Sequence, residues 1–461
     1  MYKKKQRMLL IIGILTSCIT QAQELLTLKG AVDTAVKQYG TIKAKNHYAK
    51  ASAELIEQAK RDYLPNLNVA AQQVYGTING QNGPLYGFGL SAASSGLPLA
   101  HQSWNAAFGA LYLTNINWDF YAFGRADQKI KVAQANTARD VKDYEQEIFQ
   151  HKIKVAAAYL NLLAAHQLSY SYQKNLDRAD TLRRIVITRT KNGLVAGVDS
   201  SLANADYSNA KILLTRAVDA EQQQKNILLQ LLGGTVKDFV VDTSLLTRVP
   251  TLVQSIVDTA AHPLLQFYKS RLLQNEAQLK LTKKSFYPAF TLVGVWQARG
   301  SGFESGYVTD QTLFTHNYFT GVKPVRHNYL IGVGVTWNLT QPYRLTKQLH
   351  AQQLIGKGLQ EEYNLATQQI EQQSQLAETK ISNALIVYRE APIQVKAAAD
   401  AYLQKSVLYR NGLTNMVDVA QAAYALIRAE TDRDIAYNNL WQALLLKAAA
   451  TGDYSLFEAQ L

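Results

Sequence analysis

The sequence predicts a mainly α-helical protein with transmembrane β-strands, built as two copies of one plan. Each copy runs helix, strand, strand and then a long helical hairpin, so a single chain supplies four strands. Three observations lead there. One nine-residue turn occurs twice. Before each turn, the hydrophobic period switches from that of a helix to that of a strand and back. And nothing past the first 22 residues reaches the roughly 18 uninterrupted apolar residues that a membrane helix needs, which leaves the strands as the elements suited to a bilayer.

The doubled turn organises the rest. Lys191 to Asp199 reads KNGLVAGVD and Arg410 to Asp418 reads RNGLTNMVD. Asn192, Gly193, Leu194, Val198 and Asp199 recur as Asn411, Gly412, Leu413, Val417 and Asp418, each 219 positions later. In each copy an Asn-Gly pair supplies the positive φ that ends one helix, and an aspartate opens the next. A repeat of this size sets the architecture before any other motif is considered.

The 461 residues are 47% hydrophobic and 18% charged, enough for a large ordered structure. The formal net charge is +13, of which Lys3, Lys4, Lys5 and Arg7 contribute four. The remaining Lys and Arg are spread along helices among acidic residues and glutamines. That pattern excludes the clustered patch of a nucleic-acid binder. The basic start, the apolar run Met8 to Leu15 and Thr20-Gln21-Ala22 have the layout of a secretory signal over residues 1–22, cleaved after Ala22. Cys18 is the only cysteine, so no disulfide forms within one chain. Leu15-Thr16-Ser17-Cys18 also resembles a lipoprotein acylation box, so lipidation of Cys18 stands beside simple cleavage.

The first repeat is expected over residues 23–234. A helical pattern from Leu26 to Arg61 stops at Tyr63-Leu64-Pro65, because proline disfavours helix in the residue before it. Strands follow at about 66–76 and 104–120, separated by a long Gly-, Ser- and Pro-rich loop. The helical period then persists without proline to Lys191, about 65 residues or on the order of 100 Å of rod. The tip at 191–199 turns the chain into a second arm ending at Gly233-Gly234. Residues 235–262 read as a linker or small side segment. The second repeat, 263–452, has Phe286-Tyr287-Pro288 answering Tyr63-Leu64-Pro65 at an offset of 223, strands at about 289–298 and 328–340, and a tip at 410–418. Pro392 predicts a kink in its long helix. Val419, Ala422, Leu426, Ala429, Arg433, Ala436, Leu440 and Ala443 form a seam spaced 3 and 4. Residues 453–461 are a tail.

The strands carry the functional inference. Trp104, Ala106, Phe108, Ala110, Tyr112, Ile116, Trp118 and Phe120 alternate with Asn105, Gly109, Asn115, Asn117 and Asp119. Tyr329, Ile331, Val333, Val335, Trp337 and Leu339 alternate with Asn328, Gly332, Gly334, Thr336 and Asn338. The helices spend their apolar stripes on each other, so no layer is left to cover these strand faces. An outward apolar face with Tyr and Trp near strand ends fits a transmembrane barrel. Closure takes about eight strands or more, so a barrel has to be shared between chains. A water-soluble four-stranded sheet packed on helices is the alternative.

With these features in place, the chain resembles the TolC family of bacterial outer-membrane efflux and secretion channels. The carrying residues are Leu25-Leu26-Thr27-Leu28, the two aromatic-proline corners and the two Asn-Gly-Leu…Val-Asp tips, in two-fold order across the mature chain. The resemblance implies a homotrimer whose twelve strands form one barrel in outer-membrane lipid, continued by an α-helical coiled-coil tunnel in the periplasm. It implies a periplasmic adaptor (membrane fusion protein) and an inner-membrane transporter as partners. Tip residues Asn192, Gly193, Leu194, Asn411, Gly412 and Leu413 would meet the adaptor. It also implies a periplasmic selectivity gate at Asp199, Asp418 and Tyr409, where three copies of Asp418 would form a carboxylate ring. For each aspartate the plain alternative is a helix cap. The chain departs from the best-studied member of that family at two gate positions: Thr414 stands where that member has an arginine, and Gln421 where it has a second aspartate ring. Arg410 or Lys191 is the cation the sequence offers instead.

Catalytic signatures are missing. The eight histidines never fall at metal-ligand spacing, and there is no phosphate-binding or dinucleotide glycine loop. Ser171-Tyr172-Gln173-Lys174 fits a Ser-x-x-Lys pattern without its companion motifs. The expectation is a protein that is not an enzyme, needs no cofactor and binds no nucleic acid. It is expected to be a passive exit duct opened by a partner, serving a tripartite efflux pump or type I secretion system. The alternatives are a periplasmic adaptor-like protein and a structural coiled-coil protein.

Overall fold

The computed structural model describes residues 24–80, 96–234, 239–246, 248, 250 and 261–461. The expected leader and Cys18 lie outside them. Element order is β1 (Glu24–Leu26), α1 (Leu28–Gln38), α2 (Gly40–Arg61), β2 (Asn66–Thr77), β3 (Ala106–Tyr121), α3 (Arg125–Lys191), α4 (Gly197–Leu231), β4 (Phe239–Val241), α5 (Pro263–Lys284), β5 (Ala289–Ser301), α6 (Tyr318–Val322), β6 (Arg326–Thr336), α7 (Gln341–Arg410), α8 (Met416–Thr451) and α9 (Ser455–Glu458). The protein is mainly helical, with the helix–strand–strand–hairpin order present twice. The chain falls into two compact units.

One unit, residues 51–137 and 273–357, holds an open antiparallel sheet ordered β2-β3-β5-β6. Proline ends the helical approach in each repeat, and each corner is fastened in the same way. Trp118 Nε1 donates to the Tyr63 carbonyl at 2.8 Å, and Trp337 Nε1 donates to the Phe286 carbonyl at 3.1 Å. Both indoles thus satisfy their one donor against the residue two before the proline. Trp104 lies outside β3. The ladder ends at the pair Thr77 and Ala106, and the Asn79 amide takes both backbone groups of Ser103 (2.8 and 2.7 Å), drawing the chain out of the sheet. β6 stops at Thr336 opposite Ala289, the first residue of β5 after Pro288, where its one ladder ends.

The other unit, residues up to 50, 138–272 and 358–461, contains the hairpin tips. Its main core joins Val155, Tyr159 and Leu160 of α3 with Leu228 of α4 and Trp441 and Leu444 of α8. Against it pack β1 and β4, which pair in parallel, so part of segment 235–262 is built into this core. Tyr159 Oη donates to the Leu26 carbonyl (2.8 Å), and Trp441 Nε1 donates to the Leu245 carbonyl (3.0 Å). The α8 seam is realised: Val419, Leu426, Ala429, Ala436, Leu440 and Ala443 are buried. α7 runs unbroken through Pro392.

One buried charge ties the two hairpins together. Asp434 of α8 is 2% exposed, accepts from Ser171 Oγ of α3 at 2.6 Å, and is held by Arg433 at 2.7 Å. The Ser171 hydroxyl is therefore a structural donor, while the Lys174 ammonium sits over the Tyr170 ring. Removing the carboxylate strands a buried hydroxyl and an arginine. Asp434→Ala is expected to cost about 1–3 kcal/mol, read as a lower thermal midpoint by circular dichroism. Asp434→Asn, which keeps an acceptor, should lose less; equal midpoints for Ala and wild type would remove this role.

Candidate functional site

The tips are built by helix termination. Gly193 (φ 70) and Gly412 (φ 75) occupy the left-handed region. Around them Leu194 N donates to Arg189 O (2.9 Å) and Gly193 N to Thr190 O (3.0 Å), while Leu413 N donates to Leu408 O (2.9 Å) and Gly412 N to Tyr409 O (3.0 Å). These paired bonds satisfy carbonyls that a helix end otherwise leaves open. A Cβ at either glycine would be strained whatever the space around it. Leu194 and Leu413, next in the chain, stand 64% and 72% exposed.

The two aspartates occupy the same helical position and do different things. Both lie in the first turn of the returning arm. Asp199 makes no cap: Ala196 precedes its helix without a side-chain cap bond, and the carboxylate instead accepts from Tyr409 Oη at 2.9 Å. Asp418 is itself capped, its N–H bonded by Asn415 Oδ1 at 2.8 Å. Its carboxylate accepts from Lys405 Nζ and Thr414 Oγ1, both at 2.8 Å. Lys405, then Thr414, hold the Asp418 carboxyl below its usual range.

Tyr409 connects the hairpins. It is buried in a cluster with Leu182, Val186, Ala203, Met416 and Val419, drawn from all four hairpin arms. Burial first, and then the Asp199 bond, push its phenol up to about 12. Sequence reasoning missed two members of this arrangement. Arg189 donates to the carbonyls of Tyr409 (3.3 Å) and Arg410, the negative end of the α7 dipole, and its guanidinium lies 5.7 Å from the Tyr409 ring centre. Lys405 is the other. Arg410, offered by the sequence as the replacement cation, contributes its carbonyl to Arg189. Tyr409, Asp199 and Arg189 are thus brought together, while Asp418 sits in a separate set with Lys405 and Thr414.

The second candidate surface is the sheet. Registers place Leu67, Val69, Tyr75, Trp296, Tyr329, Ile331, Val333 and Val335 on one face. Val69 is 76% exposed, Ile331 75% and Tyr329 83%. α6 covers part of this face near Phe108, where Gly321 lies against that side chain, and the outer strands β2 and β6 are exposed along their whole length. Tyr329 and Trp337, the latter one residue past the end of β6, bracket about 27 Å of chain, roughly 20 Å of height at the 35–45° tilt of barrel strands, so aromatic residues bound the apolar stretch. The opposite face is mixed: Val74, Leu111, Leu113, Val295 and Leu330 lie on it toward one end, and toward the other an open concavity of about 680 Å³ has Asn66, Asn117, Asp119, Thr291 and Lys129 around it. Among the described residues no helix is long and apolar enough to cross a membrane.

No family model and no curated protein matches the sequence. Solved structures do. The chain is similar to the outer membrane channel CmeC of Campylobacter jejuni (14% identity, TM-score 0.73, 92% of this chain and 85% of that one). It is similar to the MtrE outer membrane channel of Neisseria gonorrhoeae in its open state (16%, TM-score 0.71, 92% and 89%). It is also similar to the outer membrane protein VceC of Vibrio cholerae (17%, TM-score 0.72, 92% and 96%). With the duplicated hairpins, the open four-stranded sheet and these matches over nine-tenths of its length, the chain has the TolC-like fold of outer-membrane channels.

Proposed function

We propose that the protein is the outer-membrane channel of a tripartite efflux pump or type I secretion system: a homotrimeric, passive exit duct that a partner opens. The observation that carries this reading is the bare apolar face of the sheet, together with unpaired outer edges on β2 and β6. In water such a face would be covered, and in lipid such edges must be paired. Three chains supply twelve strands. The adaptor-like and coiled-coil readings give this face no role.

The tips form the gate. Tyr409, Asp199 and Arg189 hold one hairpin to the other, and release of that set widens the tip. Exposed Leu194 and Leu413, with Asn192, Gly193, Asn411 and Gly412 beside them, present six turns per trimer to a periplasmic adaptor linked to an inner-membrane transporter. Asp418 gives weak cation selectivity, because Lys405 neutralises much of its charge.

Light scattering of the detergent-extracted species, corrected for detergent, should give a trimer mass; a monomer, or recovery in the soluble periplasm, overturns the channel reading. In planar bilayers Lys405→Ala should raise cation preference by unmasking the carboxylate, and Asp418→Ala should lower it. Selectivity and conductance unmoved by both remove Asp418 from the gate.

A further inference from the structure

The internal duplication fixes more than the shape of one chain. In every β2–β3 pair the two residue numbers total 183, and in every β5–β6 pair they total 625. The difference, 442, equals the two repeat offsets read from sequence, 223 at the aromatic-proline corners and 219 at Trp118 and Trp337. The two hairpins of the sheet are therefore in the same register to the residue. Only one pairing between repeats is visible, β3 with β5, where the numbers total 410 along the regular part of the ladder. The equivalent pairing at the other end joins β6 of one chain to β2 of a second copy. Its two edges are the unpaired ones.

We infer that this junction between copies repeats the β3–β5 register. β3 maps onto β6 by adding 219 and β5 onto β2 by subtracting 223, so the total becomes 406. Val335 then lies opposite Ala71 of the second copy, Trp337 opposite Val69 and Tyr329 opposite Thr77. Two observations agree. An even total keeps both apolar faces on one side, since a one-residue slip reverses every side chain. And the regular part of the β3–β5 ladder, 109–118 with 292–301, carries over to 328–337 with 69–78, which takes in most of β2. Within the chain β3 likewise continues past its last β2 partner, Asn117, to meet Phe290 through Tyr121. Tyr121 corresponds to Thr340. β6 therefore lengthens on assembly past Thr336 toward Thr340, with the register shift that β3 shows between Trp118 and Tyr121 repeated past Trp337.

This inference rests on the proposed shared barrel, and its test separates the two. Cysteines are placed at Val335 and Ala71 of the full chain, with Val335 and Val69, and Val335 and Gln73, as pairs displaced by two residues. Directly opposed residues, about 4.5–5.5 Å apart, come within disulfide reach, whereas a displacement of two leaves them about 7–8 Å apart, beyond it. On oxidation of the purified oligomer, the Val335→Cys/Ala71→Cys protein should lose its monomer band on denaturing gels to covalent multimers, reversibly with reductant. Both displaced pairs and the Val335→Cys single variant should remain monomeric. Cross-linking through position 69 or 73, or through none of the three in an intact oligomer, overturns the register and leaves the shared barrel standing. Absence of any oligomer by light scattering overturns both.

Discussion

Tyr409→Phe is expected to shift the tip toward its open form by about 10- to 100-fold. The estimate follows from a hydrogen bond to a charged acceptor, roughly 1.5–3 kcal/mol, at about 1.4 kcal/mol per tenfold. The substitution removes only the phenolic oxygen that donates to Asp199, and leaves the ring in its apolar cluster. Single-channel recording reads the result as larger or longer openings. Asp199→Ala should do the same, and the double variant should add little, because both remove one bond. Full additivity would show that the bond does not couple the hairpins. The same bond predicts an alkaline opening. A phenol whose pKa is raised keeps its contribution in full below the ordinary tyrosine value near 10, and loses it as pH rises through about 12. Wild-type conductance should therefore climb across that window, and Tyr409→Phe should lack the step.

Val333→Arg is expected to abolish assembly in the membrane. Val333 is 64% exposed and sits midway between Tyr329 and Trp337 on the bare face. An arginine at the midplane of a barrel's lipid face costs about 2–4 kcal/mol per chain, a charge repeated in every copy of an oligomer. The neighbouring Gly334 lies on the opposite face beside Thr291 and the open concavity, and has nothing within 4 Å of where a Cβ would stand. Gly334→Arg should therefore assemble normally and shift conductance and anion preference instead. Equal recovery of both variants in the outer-membrane fraction would refute the assignment of faces.

The faces were legible because strand alternation needs no knowledge of partners: Tyr329, Ile331 and Val333 declare themselves by period alone. The tips were half legible, for a reason that lies in the duplication. A repeat search finds what two copies share, which is how Asn192, Gly193, Asp199 and their mates emerged. The contacts at the tips are made from what they do not share. Arg189 has Leu408 as its mate, Tyr409 has Thr190, Lys405 has Val186, Thr414 has Val195, and capping Asn415 has Ala196. Even the shared aspartates diverge, because their surroundings do. Asp199 faces a tyrosine on the other hairpin, and Asp418 a lysine on its own. A contact between residues some 220 apart has no local signature, so Arg189 could be found only with the four helix ends in place.

In the proposed shared barrel, the open edges of β2 and β6 also bear on how a chain would enter a bilayer. A lone chain in hydrocarbon would carry two rows of unsatisfied backbone amides and carbonyls, each expensive without water. Helical hairpins have no such debt, since their bonds close within the segment. One chain can thus complete its arms by itself but not its sheet, and insertion becomes an event of several molecules. For such a protein stability is inseparable from concentration, and the supply of chains arriving together governs whether the barrel forms.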